Sequence, residues 1–210
     1  EDNLRFVWSQ DAPELIWKKE IGSGFSEVLV RGDRIYTMFA EKTDSITGWE
    51  YVASYDAANG EEVWRTQIDS VFIDVDGWGD GSRSTPAIDG DLIYCFSGHG
   101  KLLAVATSDG SIHWTVDFVG QFNSKLPRWG YSASPVVIGE MVIMELGGDE
   151  SRAFAAFNKH SGTLLWARGE GEAMYASPVI AEINGEQQII FANGRTLSAY
   201  DETGDTLWTY

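Results

Sequence analysis

An all-β propeller of four-stranded antiparallel blades, organised by tryptophan-docking motifs, is the fold this 210-residue sequence predicts. Three observations predict it. A glycine stands four residues before a tryptophan four times, with Gly60 before Trp64, Gly110 before Trp114, Gly162 before Trp166 and Gly204 before Trp208. Three of the four units open on a hydroxyl residue and proline, at Thr85-Pro86, Ser134-Pro135 and Ser177-Pro178. Between these marks lie short apolar runs separated by glycine and asparagine turns, and nothing is long and periodic enough for a helix. A motif that recurs at intervals of roughly 40–50 residues is the mark of a repeat architecture. Strands joined by hairpins pair antiparallel, since parallel pairs need long crossovers. One four-stranded sheet of this size cannot cover both of its faces, and stacking such sheets around an axis solves that. A β-sandwich is the alternative, but it leaves a tryptophan at one place in every unit unexplained.

The elements follow in order. Residues 1–25 hold Leu15-Ile16-Trp17, which resembles the end of a repeat without its beginning and predicts a closing strand. The first blade covers about 26–69, with strands near 27–30, 35–39, 51–55 and 62–66 and a long polar loop over 41–49. Its opening pair is Ser26-Glu27, where the other units have Ser/Thr-Pro. The second, third and fourth blades cover about 84–118, 132–169 and 176–210, and together the four form the 26–210 domain. Proline has no backbone donor, so it suits the first position of a strand. Trp17, Trp64, Trp114, Trp166 and Trp208 are the expected docking residues, each packing its sheet onto the next.

Composition narrows the function. The net charge of −17 argues against nucleic acid and against an anionic membrane face. No apolar run approaches the ~18 residues of a membrane-spanning helix. The N-terminal Glu1-Asp2-Asn3 has neither the basic nor the apolar part of a secretory leader. The one cysteine, Cys95, sits in the apolar run 92–96 and reads as a buried thiol.

The stretch Tyr55-Asp56-Ala57-Ala58-Asn59-Gly60-Glu61-Glu62-Val63-Trp64 resembles the tryptophan-docking consensus of pyrroloquinoline-quinone (PQQ) repeat propellers. Ser134-Pro135-Val136-Val137 and Ser177-Pro178-Val179-Ile180 resemble the opening strand of that repeat. The likeness covers about 15–210 and lies nearest to alcohol-dehydrogenase-like propellers, often bacterial and secreted. The family also includes the outer-membrane barrel-assembly lipoprotein and the quinoprotein dehydrogenases. Ala106 and Asn158 depart from the consensus aspartate, and Asp201 stands one residue nearer its glycine. The resemblance implies seven or eight blades, so four predict an incomplete ring. The expected neighbours are further blades of the same parent chain, or self-association through open blade ends.

Function in a propeller sits at the channel mouth, on the connections between blades. Phe25, Arg83, Tyr131 and Tyr175 each stand near an opening strand, and with Trp78, Asp80 and Trp129 they are the candidate ligand-binding residues. Asp74, Asp76 and Asp80 are weak candidates for a metal, since their spacing departs from an EF-hand loop. The resemblance implies PQQ held with calcium in the catalytic members, yet no catalytic aspartate or metal glutamate maps onto this sequence. A single cysteine also excludes the adjacent-cysteine disulfide that many of them carry. The expectation is therefore no cofactor and no catalytic residue. It is a scaffold in the periplasm or outside the cell, with the cytoplasm left open, that binds a protein, small-molecule or carbohydrate ligand. The alternatives are a quinoprotein oxidoreductase and an outer-membrane assembly scaffold.

Overall fold

The computed structural model of the chain describes residues 14–148, 151–194 and 196–210, so the first part of the expected segment 1–25 lies outside the described residues. Four four-stranded antiparallel sheets follow one another as blades, and the series is not closed. The first contains β1 (Leu29–Arg31), β2 (Arg34–Lys42), β3 (Gly48–Asp56) and β4 (Glu62–Ser70). The second contains β5 (Ala87–Asp89), β6 (Leu92–Phe96), β7 (Lys101–Ala106) and β8 (Ile112–Asp117). The third contains β9 (Val136–Ile138), β10 (Met141–Gly148), β11 (Arg152–Asn158) and β12 (Leu164–Arg168). The fourth contains β13 (Val179–Ile183), β14 (Glu186–Asn193), β15 (Thr196–Tyr200) and β16 (Thr206–Thr209).

Several expectations are corrected in detail. The first blade's central hairpin is longer than expected, pairing Lys42 with Gly48, so the polar loop shrinks to its tip. A helical turn, α1 (Phe118–Phe122), follows the second blade, where no helix was expected. Asp117 caps it by accepting from Gly120 N at 2.9 Å, and Asn123 ends it with φ 57°. Among the described residues, no strand forms over 14–22, where the closing strand was expected.

The cores lie between blades. Tyr36, Met38, Val52 and Trp64 of the first blade close onto Ile93, Cys95, Leu103 and Val105 of the second. Tyr94, Phe96 and Trp114 of the second close onto Val142, Met144 and Phe157 of the third. Ile143, Phe154 and Trp166 of the third close onto Ile189, Phe191 and Tyr200 of the fourth. The second and third sheets are thus apolar on both faces, as a stacked layer must be. Cys95 is fully buried in the first of these cores, and burial pushes its thiol well above the usual range.

Both ends of the pentapeptide make the same inter-blade contact. Trp64 Nε1 donates to Thr107 O at 3.0 Å, Trp114 Nε1 to Lys159 O at 3.0 Å and Trp166 Nε1 to Glu202 O at 3.0 Å. Each indole also lies on the glycine of the next blade. A Cβ added at Gly110, Gly162 or Gly204 would stand 2.7 Å from a ring carbon of Trp64, Trp114 or Trp166, and all three glycines have positive φ. Trp17 treats the first blade likewise, donating to Ala57 O at 2.9 Å and covering Gly60. Trp208 differs from the expectation, since its Nε1 donates to Gln188 Oε1 of its own blade at 2.8 Å.

The inner openings of the blades are joined by hydroxyls. Glu27 N donates to Thr85 Oγ1 at 3.1 Å, Thr85 N to Ser134 Oγ at 2.9 Å and Ser134 N to Ser177 Oγ at 2.8 Å. This corrects the opening of the first blade by one residue. Glu27-Val28, not Ser26-Glu27, stands where the others have Ser/Thr-Pro.

Candidate functional site

An extended chain points alternate residues to opposite sides. Two residues before Glu27, Thr85, Ser134 and Ser177 stand Phe25, Arg83, Ser132 and Tyr175. These four, with Trp78 and Trp129, line one cleft of about 440 Å³ at the mouth. The structure therefore brings together five of the seven expected binding residues, and adds Ser132.

Tyr131 is the first correction. Three residues before Ser134, it points the other way, is 1% exposed and packs against Phe96 with ring centres 5.0 Å apart. Burial raises its phenol well above the usual range. Asp80 is the second correction, for it does not line the cleft. It pairs with Lys42 at 2.6 Å, which holds its carboxyl below the usual range, and accepts from Asp74 N at 2.9 Å.

The acidic loop builds the wall instead. Asp74, with its side chain 1% exposed, accepts from Trp78 N at 2.6 Å and lies 3.2 Å from Arg83 Nη2. Arg83 Nη2 also donates to Gly79 O at 2.7 Å, and the guanidinium lies 5.2 Å from the centre of the Phe25 ring and 5.4 Å from that of Phe72. Asp76 accepts from Arg128 Nε and Nη2, both at 2.8 Å, and from Trp129 Nε1 at 2.7 Å. The Arg128 guanidinium holds the Asp76 carboxyl down to about 2. The clasp joins the two connections that carry Trp78 and Trp129. Trp129 in turn faces Tyr175, with ring centres 5.3 Å apart.

The three aspartates are thus directed to Arg83, Arg128 and Lys42, and among the described residues no group of three or more acidic, His or Cys side chains could hold a metal. The donor set does not fit calcium bound with PQQ, which needs free carboxylate and amide oxygens together. The cleft's lining holds one cation, the hydroxyls of Ser132 and Tyr175, and four aromatic rings, with no carboxylate, imidazole or thiol. Such a set holds a ligand by its apolar and planar faces. Phe25, Trp78, Trp129 and Tyr175 are 52%, 72%, 39% and 36% exposed, so the rings are open to a partner.

A second depression of about 740 Å³, not foreseen from sequence, lies on the other side of the clasp. Ile46, Trp49, Val75, Leu126 and Arg128 are among its lining residues. His99 lies there too, tilted against Phe72 with ring centres 5.5 Å apart. His160 is elsewhere, 3.1 Å from Glu140.

A family model described as outer membrane protein assembly factor BamB matches residues 48–210. The outer membrane protein assembly factor BamB of Shewanella oneidensis is 29% identical over 139 residues, covering 64% of this chain and 34% of that protein. The structure of BamB from Moraxella catarrhalis matches with a TM-score of 0.56 at 17% identity, over 90% of this chain and 51% of that one. Quinohemoprotein alcohol dehydrogenase from Comamonas testosteroni matches with a TM-score of 0.65 at 15% identity, over 90% and 35%. At these identities the solved structures speak to the fold alone. The chain spans about a third of the length of the curated relative it matches.

Proposed function

The chain belongs to the PQQ-repeat β-propeller family, matched over residues 48–210 by the assembly-factor model, and from that membership we propose that it is a non-catalytic scaffold that binds a partner protein. The observation that carries this reading is the cleft of Phe25, Trp78, Arg83, Trp129, Ser132 and Tyr175. Tryptophan, tyrosine and arginine are the residues that dominate binding energy at protein interfaces. The cleft's polar groups are few, and Arg83 and the Trp129 indole are already bonded within the protein. A partner segment that inserts an apolar or aromatic side chain suits it better than a carbohydrate, whose hydroxyls need many partners. We read the protein as working without PQQ or calcium. We also read it as periplasmic, with outer-membrane assembly as its setting, on the support of the family model's description. Among the described residues, no helix is long and apolar enough to cross a membrane.

The test is a titration followed by tryptophan fluorescence. The probe is a peptide of about ten residues alternating apolar and polar side chains, the pattern of a membrane β-strand. Saturable binding is expected, weakened about tenfold or more in Trp78→Ala or Trp129→Ala. The parallel titration uses PQQ with calcium and an electron-accepting dye. Quinone-dependent dye reduction would replace the scaffold reading with an oxidoreductase.

A further inference from the structure

Glu145 is the least explained polar group among the described residues. It lies on β10, faces the fourth blade and is 1% exposed, yet neither carboxyl oxygen has a hydrogen-bonding partner. The equivalent position of the second blade holds Phe96, which packs on Tyr131. The third blade places an acid there instead, near the Met174 backbone N–H, which forms no hydrogen bond with it. A buried carboxylate without a hydrogen-bonding partner is strongly disfavoured, so the group stays neutral. Burial pushes its pKa up to about 8.

Its location ties this anomaly to the mouth. Gly147, two residues on, packs so closely on Ala173 that a Cβ would overlap the Ala173 backbone. Residues 145–147 are thus the seat of the connection 173–175, and the next residue in that connection, Tyr175, is a wall of the cleft against Trp129. Among the described residues, the titratable groups on the surrounding elements include Tyr131, Lys125, Arg152, Arg168, Glu170, Glu172, Tyr175 and, on the fourth blade, Tyr200. Lys125 is paired with Glu172 at the surface, and Tyr131 keeps its proton. Desolvation, not the charge of these neighbours, governs Glu145.

We infer that Glu145 is a protonation-dependent positioning residue for the binding cleft: its neutral carboxyl lets the Ala173–Met174 connection pack dry against β10, and its ionisation admits water there, unseats that connection and withdraws Tyr175 from Trp129. The inference rests on reading the cleft as the binding site. An ionised Glu145 can be solvated only if water enters between β10 and the connection, and the connection is the lighter of the two to move. Proton loss at one buried atom is thereby converted into a change in the shape of the mouth.

The test reads the connection without any ligand, so its outcome is separate from that of partner binding. Hydrogen exchange of residues 170–176, corrected for the intrinsic pH dependence, is followed from about pH 6.5 to about pH 9, together with tryptophan fluorescence. The wild type is expected to lose protection there by about tenfold or more, in step with a fluorescence change. Glu145→Met is expected to show neither transition, and Glu145→Gln, which keeps the side-chain shape, carries the same expectation. Constant wild-type protection across the range would overturn the inference. So would the same loss of protection in both variants.

Discussion

The backbone N–H of Ser134 donates to the hydroxyl of Ser177 at 2.8 Å, joining the inner openings of the third and fourth blades. With the bonds from Thr85 to Ser134 and from Glu27 to Thr85, it forms a ladder around the inner wall. The proline after each hydroxyl residue carries no N–H, so the residue before it is the one left to donate along the ladder. Ser134→Ala keeps the Ser134 donor but removes the acceptor for Thr85 N. The expected cost is about 1 kcal/mol, because the site is half-buried and water reaches part of the orphaned group. Ser134→Thr, which keeps the hydroxyl, is expected to cost less. Urea unfolding at a constant m-value measures both.

The docking contacts divide into a ring and a hydrogen bond, and substitutions separate them. Trp114→Phe keeps an aromatic face on Gly162 but removes the bond to Lys159 O, at an expected cost of about 1–2 kcal/mol. Gly162→Ala is expected to cost more, about 2–4 kcal/mol. It places a Cβ 2.7 Å from the Trp114 ring in a backbone with φ 70° that side chains resist. Trp208→Phe removes only a bond within its own blade and is expected to have the smallest effect of the three. Thermal unfolding of the three variants side by side gives the order, and equal losses for Trp114→Phe and Trp208→Phe would contradict the docking account.

That contact also explains why the blades were readable from the chain alone. Glycine and tryptophan are the two sides of one junction, so each blade must carry both, and their recurrence counts blades directly. The mouth was readable only to within one residue. Trp129-Gly130-Tyr131-Ser132 offers an aromatic residue at the wrong parity, and an extended segment shifted by one presents its other face. Counting back from the Ser134-Pro135 pair would have selected Ser132, since the same count from Thr85-Pro86 and Ser177-Pro178 selects Arg83 and Tyr175. The role of the acidic loop was hidden for another reason. Asp76 meets Arg128 and Trp129 across some fifty residues of chain, and no local pattern announces such a pairing. α1 spans little more than one turn, too short for a helical period to register.

Two buried acids give the clearest stability prediction. Glu50 is fully buried, but its carboxyl accepts from Phe72 N at 3.1 Å, Gly98 N at 3.2 Å and Ser82 Oγ at 3.0 Å. Removing it by Glu50→Ala orphans three donors, and a loss of about 2–4 kcal/mol is expected. Glu145 has no such set, so its replacement acts in the opposite direction. Its folded pKa, about 8, lies above the ordinary glutamate value of 4.5, so between these limits the folded state binds more protons than the unfolded state. Its contribution to stability is therefore fully present below about pH 4.5, falls as pH rises through that window, and is lost above about pH 8. Glu145→Met, which places an apolar side chain where Phe96 and Met38 stand in the second and first blades, removes this loss. The variant is expected to gain on the order of 2–4 kcal/mol over the wild type at pH 7, and much less at pH 4.5. Denaturant unfolding of both proteins at the two pH values is the measurement. An advantage for Glu145→Met that is the same at both would show that packing alone, not the buried acid's proton, separates them.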